Sequence, residues 1–335
     1  MASELILVVE DDPKNLKLVR NTLQVMGHRT IEAETGEEAC NWRTCFMFPM
    51  RCSGRRLCCR EYRPPGNVQI SRAGSPYIKT THPFLTDPAV RPALALLVDR
   101  ASIQKDIWGP QADTTANFMN RPPFASANTH WEFNVDKANA ILDAGGWKRG
   151  ADGIRVRGSI RLKVLFQAVN QPIRQKMQAA VKQAYQRAGI ECELKSVVGS
   201  VYFSSDPGNV DTESHFYTDL ELSGKILRQP DPQTYMRAFC SWEVAQKANK
   251  WSGANLARWR NDDYDRIWRA AETEMDPGRR AASFIRMNDL VIQNVVVIPI
   301  FVRHATFAVA NSIRGFDFSP FSGPLRRLAY WSREA

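Results

Sequence analysis

The first side chains that could do chemistry form an acidic group near the start of the chain. The stretch ILVVEDDP, residues 6–13, has the apolar pattern of a buried strand and ends in carboxylates. Carboxylate oxygens are the ligands that Mg²⁺ prefers, and open α/β sheets bind ligands at the carboxyl ends of their strands. Glu10 and Asp11 are therefore the candidate metal ligands of this sequence.

The elements around this acidic pair are those that begin a doubly wound α/β unit. Leu5–Val9 and Thr30–Ala33 are predicted strands, and residues 15–26 between them have apolar side chains at helical spacing. Residues 5–39 resemble the first third of a response-regulator receiver domain. The resemblance implies that the acidic pair binds Mg²⁺ beside a phosphoacceptor aspartate at the end of a third strand.

The phosphoacceptor has no candidate, because no aspartate occurs between Asp12 and Asp87. A receiver that stops after two strands also lacks the strands that close its sheet. We therefore interpret residues 1–39 as a truncated receiver-like fragment with a vestigial Mg²⁺ pair. Phosphotransfer signalling, with a fused module that senses a solute, is the alternative function.

Residues 40–76 form an irregular junction that is rich in cysteine and arginine. They contain Cys40, Cys45, Cys52, Cys58 and Cys59 but no histidine, and their spacing does not match that of zinc ligands. The segment CNWRTCFMFPMRCSGRRLCCREYRPPG within it has neither helical nor strand periodicity. A frame shift or a gene fusion would produce such a junction.

Composition excludes several classes of function. The formal net charge is +10, but no basic helix interleaved with stacking aromatic residues is present, so we predict no nucleic-acid partner. No apolar run approaches the roughly 18 residues of a transmembrane helix. Glu4 and the acidic cluster stand where a signal peptide would have a basic end and an apolar run, which leaves cytoplasmic retention open.

From Tyr77 onwards the sequence has regular alternation of helices and strands. A strand over Arg161–Phe166, a helix over Ile173–Ala188 and a strand over Glu191–Val198 predict a mixed α/β lobe with a parallel pair. Cap residues mark the helices, and they include Asp87 before Pro88, Asn134, and Asp276 before Pro277.

Residues 77–335 are similar to the C-terminal half of the family 5 extracellular solute-binding proteins, the peptide- and nickel-type receptors of ABC importers. The motifs that carry the resemblance are DPAVRPALALLVDR (87–100), DKANAILDAGGWKRGADGIR (136–155), QAAVKQAYQRAGIECEL (178–194), QPDP (229–232), GANLARWRNDDYD (253–265) and DPGRRAASFIRMNDLVIQNVVVIPIF (276–301). The resemblance implies a type II periplasmic-binding-protein-like fold and a periplasmic location. It also implies capture of a peptide or similar solute between two lobes for an ABC permease, without catalysis and without a cofactor.

The resemblance also assigns candidate ligand contacts. Peptide-binding members pair the ligand ammonium with an aspartate where this chain has Arg228, and Lys225 stands where an aromatic residue is usual. A cation at that place would repel an ammonium, which argues against ordinary oligopeptide recognition and leaves room for an anionic or neutral solute. The full set of candidate ligand-binding residues is Tyr217, Asp219, Arg228, Trp251, Asn255 and Trp259.

Family members of this type are longer, and the portion that would build much of the first lobe has no counterpart in the sequence. We therefore expect residues 77–335 to fold largely as the second lobe and to bind solute weakly or not at all. His215 and His304 are isolated in the sequence, and their spacing predicts no catalytic group.

Overall fold

The computed structural model describes most of the chain after residue 81 and short segments before it. The described residues are 5–9, 17, 20, 21, 24, 29–33, 65–70, 82–225, 227, 229–304, 312–316 and 324–333. The chain divides into two compact units, Met1–Cys58 and Cys59–Ala335. Glu10, Asp11 and Arg228 lie outside the described residues, so the roles assigned to them stay predictions.

The first unit contains the two strands that the sequence predicts. β1 (Leu5–Val9) and β2 (Arg29–Ala33) pair in parallel. Parallel pairing of consecutive strands requires a crossover connection between them. The two predicted strands are therefore confirmed, and the likeness of residues 1–39 to a truncated receiver stays a prediction.

The second unit is built on a mixed sheet. Its strands are β3 (Pro65–Ile70), β4 (Ala112–Thr114), β8 (Lys163–Val169), β9 (Glu191–Val197), β10 (Leu220–Gly224) and β11 (Val297–Arg303). They are arranged in the order β4-β11-β3-β10-β8-β9. β10, β8 and β9 run parallel, and the other neighbouring pairs are antiparallel. The predicted mixed-sheet α/β lobe is confirmed.

β3 lies inside the segment that the sequence indicates as an irregular junction. It nevertheless occupies the middle of the sheet, because it pairs with β10 on one side and with β11 on the other. Only Val68 and Ile70 alternate as apolar residues along it, and a two-residue alternation is too short to indicate a strand. Its partner strands follow more than 140 residues later, so the pairing that makes it a strand has no local signal.

The helices cover the sheet and follow the predicted positions closely. They are α1 (Val90–Leu96), α2 (Arg100–Ser102), α3 (Val135–Ala144), α4 (Pro172–Arg187), α5 (Gly199–Tyr202), α6 (Gln233–Met236), α7 (Asp262–Thr273) and α8 (Pro277–Gln293). A π-helical segment covers Ile103–Trp108, and 3₁₀ segments cover Gly109–Gln111, Arg237–Phe239, Ser241–Glu243, Lys247–Asn249 and Pro324–Tyr330. Short strands form two further small sheets: β5 (Lys148–Arg149), β6 (Arg155–Arg157) and β7 (Ile160–Arg161) in one, and β12 (Ile313–Arg314) and β13 (Ser332–Arg333) in the other.

The unit β8-α4-β9 is the predicted parallel β-α-β unit. Val181 and Tyr185 on α4 are buried, and they belong to the same core cluster as Phe166 on β8 and Leu220 on β10. Full burial of an apolar side chain of this size stabilises a fold by about 1.5–3 kcal/mol. One face of α4 therefore fixes the positions of the parallel strands and of their carboxyl ends.

The predicted caps are confirmed at two helices and shifted at a third. The side chains of Asn134 and Asp276 accept hydrogen bonds from backbone N–H groups in the first turns of α3 and α8. Asp87 instead accepts from the N–H of Ala89, at 2.8 Å, before α1 begins. The carboxylate also pairs with Arg157, so it connects the start of α1 to β6 rather than capping the helix.

A second core cluster lies under α7 and α8. It includes Trp259, Tyr264, Phe284 and Val297, all of which are buried.

In the part of the chain that the structure describes, no helix has both the length and the hydropathy that a membrane crossing needs.

Candidate functional site

The carboxyl ends of the parallel strands β8, β9 and β10 carry a group of charged side chains. Arg174, Glu213, Glu221 and Lys225 belong to it, and we call them the carboxyl-end cluster. Lys225 Nζ lies 3.2 Å from Glu213 Oε1, and both side chains are partly exposed. Ligands of open α/β sheets bind outside the carboxyl ends of the parallel strands, which makes this cluster the candidate functional site.

Local structure positions each member of the cluster. Glu221 is on β10 and Lys225 follows that strand directly. Arg174 is in the first turn of α4, and its Nη1 donates to the carbonyl of Leu222 at 2.7 Å. The loop that carries Glu213 is held by a hydrogen bond of 2.8 Å from its N–H to the carbonyl of Tyr202.

Glu221 is the buried member of the cluster. Its Oε1 accepts a hydrogen bond of 3.2 Å from Gln167, and its Oε2 has no partner among the described residues. Burial raises the pKa of Glu221 well above its ordinary range, and the nearby Glu213 carboxylate raises it further. Burial also lowers the pKa of Arg174. The raised pKa favours the protonated, neutral form of Glu221, and Lys225 and Glu213 carry partly exposed charges of the cluster.

A Glu221→Gln variant tests this protonation state. A carboxyl group whose pKa is raised on folding keeps its proton in the folded chain, whereas the unfolded chain releases it above pH 4.5. The free energy of unfolding of the wild type should therefore fall as the pH rises above 4.5, by up to about 1.4 kcal/mol per pH unit. In urea denaturation from pH 4 to pH 8, the free energy of unfolding of the variant should increase relative to that of the wild type as the pH rises. The exposed control Glu272→Gln should show no such trend, and parallel pH profiles of wild type and Glu221→Gln would contradict the assignment.

The sequence-predicted residues Tyr217 and Trp251 come together in a second group, the aromatic cluster, with His215 and Arg258. The ring centroids of Tyr217 and Trp251 lie 5.3 Å apart, and the His215 ring lies 4.5 Å from Trp251. The guanidinium of Arg258 is 5.5 Å from the Trp251 ring. Trp251 and His215 are buried, whereas Tyr217 is partly exposed.

Arg258 organises this aromatic cluster through backbone carbonyl groups. Its guanidinium donates to the carbonyls of His215, Phe216, Ala245 and Leu256. Burial lowers the pKa of Arg258 to about 10, so the side chain stays charged at neutral pH. The hydrogen bonds therefore join the loop before β10 to the segment around residue 250.

Backbone strain accompanies this arrangement. Phe216, Lys250, Trp251 and Arg258 have φ angles of 39°, 51°, 62° and 55°, in the left-handed region that residues with side chains rarely adopt. Each such conformation costs of order 1–3 kcal/mol and persists only where the surroundings over-determine it. The buried Arg258 and the rings packed edge-to-face around Trp251 are such surroundings.

Gly253 allows two segments of this region to approach each other closely. A Cβ added to it would lie 2.2 Å from the carbonyl oxygen of Glu243 and 2.7 Å from the N of Ala245. Both atoms are backbone atoms, so neither can move without disturbing the bridge between Val244 and Asn255.

We expect Gly253→Ala to lower the free energy of unfolding by about 2 kcal/mol, because the added methyl group forces the backbone segments apart. Gly208→Ala is the matched control, since its Cβ would meet only the Asp206 side chain. Urea denaturation of both variants measures the difference. Equal stabilities would contradict the close approach.

Asn255 and Trp259 lie in the protein interior. Asn255 is fully buried, and its Nδ2 donates to the carbonyls of Cys240 and Trp259 at 3.0 and 2.7 Å. Trp259 packs against Tyr264 with ring centroids 5.3 Å apart. These contacts support a scaffold role, and direct contact of either residue with a ligand stays an untested prediction.

Asp219 links the segment around His82 to the sheet through two hydrogen bonds. Its carboxylate accepts from the Leu165 N–H at 2.6 Å and lies 2.7 Å from His82 Nε2. His82 Nδ1 accepts the N–H groups of Phe84 and Leu85, so Nε2 must be the protonated nitrogen that donates to Asp219.

The structure places Tyr217 and Asp219 before β10 and Lys225 directly after it. Five strand residues span roughly 17 Å, so one small ligand does not touch both ends. Sequence reasoning noted Lys225 as a departure from the family pattern but missed Arg174, Glu213 and Glu221, whose only signal is the rule that ligands bind at the carboxyl ends of parallel strands.

The described residues offer no metal centre. No group of three or more His, Cys, Asp or Glu side chains that could hold a metal ion occurs among them. His304 lies 2.9 Å from Asp113, a single pair. Cys192 and Cys240 are buried free thiols, and burial raises the pKa of Cys192 to about 12, which makes it a poor nucleophile.

Comparison with known proteins agrees with this architecture. The family model described as "Bacterial extracellular solute-binding proteins, family 5 Middle" matches residues 67–247. The probable ABC transporter periplasmic-binding protein SapA of Escherichia coli is 24% identical over 244 residues, which is 72% of this chain and 41% of SapA. The di/tripeptide-binding protein 4 of Pseudomonas aeruginosa is 25% identical over 220 residues, which is 64% of this chain and 38% of that protein. The chain thus spans about two fifths of the length of the curated relatives it matches.

Solved structures share the fold. An oligopeptide-binding protein from Thermus thermophilus, in complex with a pentapeptide, superposes with a TM-score of 0.62 at 21% identity, covering 72% of this chain and 42% of that one. NikZ from Campylobacter jejuni, in complex with Ni(L-His), gives a TM-score of 0.64 at 18% identity, covering 81% of this chain and 52% of NikZ. These neighbours have the type II periplasmic-binding-protein fold, which confirms the predicted fold class. The family match covers more than half of the sequence, and the chain belongs to the family 5 bacterial extracellular solute-binding proteins.

Proposed function

We propose that this chain is a partial substrate-binding component of an ABC-type importer for a peptide or a related solute. Family membership carries the proposal, together with the names of relatives that bind peptides or work in peptide transport. The solute would be held and handed to permease subunits without catalysis or a cofactor. A periplasmic location follows from the same family and belongs to the same proposal.

The carboxyl-end cluster is the proposed contact surface. Lys225 and Glu213 are partly exposed there, and the raised pKa of the buried Glu221 favours its uncharged form. With the cation of Arg228 three residues after Lys225, the sequence at this end favours a solute that presents a carboxylate. Phosphotransfer signalling gains no support from the relatives reported above, which are transport proteins.

The test is a calorimetric titration of the full chain with N-acetyl-trialanine and with its C-terminal amide. We expect a Kd of about 0.1–1 mM for the acid, because one wall of a cleft gives only part of the affinity of a closed site. Lys225→Gln should weaken binding of the acid about fivefold and leave the amide unchanged, since an exposed ion pair is worth about 1 kcal/mol.

The control is Lys176→Gln, which removes an exposed cation from α4 outside the cluster and should leave both affinities unchanged. Equal binding of acid and amide by the wild type would overturn the proposal. So would the absence of binding of either peptide at a concentration of about 10 mM, where even very weak binding is measurable.

A further inference from the structure

A cavity of about 300 Å³ lies between α1, the segment around Trp131 and the start of β11, and none of the residues of the carboxyl-end cluster lines it. Its wall is mostly aliphatic and includes Ala95, Leu96, Val297 and Ile298. Its volume is at the small end of the range for sites that bind organic ligands. Such sites combine an apolar wall with a few placed polar groups.

Arg100 supplies the polar group of this cavity. Only 4% of the residue is exposed, and its guanidinium forms no ion pair with any carboxylate that the structure describes. Nε donates to the carbonyl of Pro299 at 2.6 Å, and Nη1 donates weakly to the carbonyl of Val98 at 3.4 Å. Nη2 makes no hydrogen bond within the described segments, although Arg100 lines the cavity.

A buried charge without a partner is costly, and a guanidinium fork matches the geometry of a carboxylate. The acid closest in the wall is Glu132, and it is already engaged: Oε1 accepts from Asn134 at 2.8 Å and Oε2 pairs with Lys137 at 2.6 Å. Glu132 is also exposed at the rim, where solvent screens its charge. Among the described residues Arg100 therefore has carbonyl acceptors but no carboxylate partner, and its guanidinium can take a carboxylate from a ligand.

Two aromatic side chains at the same place fit a ligand with an apolar body. Arg100 lies 5.5 Å from the centroid of the Trp131 ring, a cation–π distance. Trp131 and His130 both line the cavity, and neither ring N–H has a hydrogen-bond partner among the residues described. Both are free to donate to an anion.

We propose that this cavity is a second binding site, distinct from the carboxyl-end cluster, for a small carboxylate with an aromatic or branched aliphatic body. The carboxylate bonds to Arg100 Nη2, and the apolar body lies against the aliphatic wall beside Trp131. No bond is made or broken. The site needs no peptide, so it is independent of the proposed transport function.

Phenylacetate is the probe, and phenylacetamide is its neutral isostere. In a titration of the full chain followed by the indole N–H resonance of Trp131, assigned with Trp131→Phe, we expect saturation by phenylacetate with a Kd of about 0.1–1 mM. Phenylacetamide should bind at least tenfold more weakly, on the order expected from loss of a charge-assisted hydrogen bond.

Two variants and one control decide the assignment. Arg100→Gln should weaken phenylacetate binding at least about tenfold. Ala95→Phe keeps Arg100 but fills the cavity, and it should abolish binding even where Arg100→Gln folds poorly. Arg187→Gln removes an exposed arginine that stacks on Phe133 at 5.7 Å outside the cavity, and it should bind as the wild type does.

Equal affinities for phenylacetate and phenylacetamide would overturn the proposal, and so would binding that survives Ala95→Phe or the absence of any shift in the Trp131 resonance. The outcome is separable from that of the transport proposal. Lys225→Gln, which probes the carboxyl-end cluster, should leave phenylacetate binding unchanged.

Discussion

Replacing Arg258 with methionine should lower the free energy of unfolding by about 3 kcal/mol. Several backbone carbonyls, among them those of Phe216 and Ala245, accept hydrogen bonds from this buried guanidinium. Methionine fills much of the space but donates nothing, and each buried carbonyl left without a donor costs about 1–3 kcal/mol. Part of that loss is offset, because burial of a charged guanidinium is itself unfavourable, as the lowered pKa of Arg258 indicates, and methionine carries no charge.

The same variant should loosen the aromatic cluster. Trp251 and Phe216 hold left-handed backbone conformations that Arg258 helps to fix, so their amide protons should exchange with solvent faster than in the wild type. Urea denaturation measures the global change and hydrogen exchange the local one.

Arg269→Met is the matched control for Arg258→Met. Arg269 also stacks on a tryptophan, 4.2 Å from the ring of Trp242, but it is exposed. Its loss should cost less than about 0.5 kcal/mol. If Arg258→Met were no more harmful than Arg269→Met, the organising role of Arg258 would be wrong.

Arg155→Met is the second substitution from which a large effect is expected, also about 3 kcal/mol. Arg155 is 1% exposed, and its guanidinium joins three elements of the lobe. It donates to the carbonyls of Ala188 at 2.8 Å and Trp147 at 2.5 Å, and to the side chains of Asn139 at 2.8 Å and Asp143 at 2.7 Å. Removing it leaves buried carbonyl groups at the ends of α3 and α4 without donors.

Arg149→Met provides the comparison. Arg149 bonds to Asn139 and to the carbonyls of Gly153 and Arg187, in the same region, but its side chain is exposed and water can replace it. A loss below about 1 kcal/mol is expected. Equal denaturation midpoints for the two variants would show that burial of Arg155 does not matter.

The elements that the sequence predicts best are those whose pattern is local. β8, α4 and β9 agree with the predicted strand, helix and strand to within a few residues. α4 carries its apolar stripe over several turns, β8 is rich in apolar residues, and Cys192 and Leu194 alternate with polar residues along β9. The caps at Asn134 and Asp276 are local in the same way, since a cap needs only its own first turn.

β3 is a strand that local sequence patterns do not predict. Pro65–Ile70 is half polar and follows a segment without periodicity, and only its pairing with β10 and β11 makes it a strand. A pairing between segments more than 140 residues apart has no trace in a local pattern. The family match, which begins at residue 67, includes most of this strand.

The candidate site could be predicted only in part. The sequence predicts Tyr217 and Trp251 as ligand contacts, and the structure brings their rings together. It does not predict Arg258, because Arg258 bonds to backbone carbonyl groups, which no sequence pattern indicates. The sequence does not predict Glu221 as a site residue either, because a glutamate on a short strand ordinarily lies on the exposed face of that strand. Glu221 is instead fully buried, close to Glu213 and to Tyr202 at the end of α5.

The most direct test of the account asks where a peptide acid touches the chain. In ¹H–¹⁵N spectra of the full chain titrated with N-acetyl-trialanine, the account predicts that the amide shifts concentrate at Gly199, Glu213 and Lys225, around the carboxyl ends of the parallel strands. Shifts confined to the aromatic cluster of Tyr217 and Trp251, or spread evenly over the chain, would contradict it.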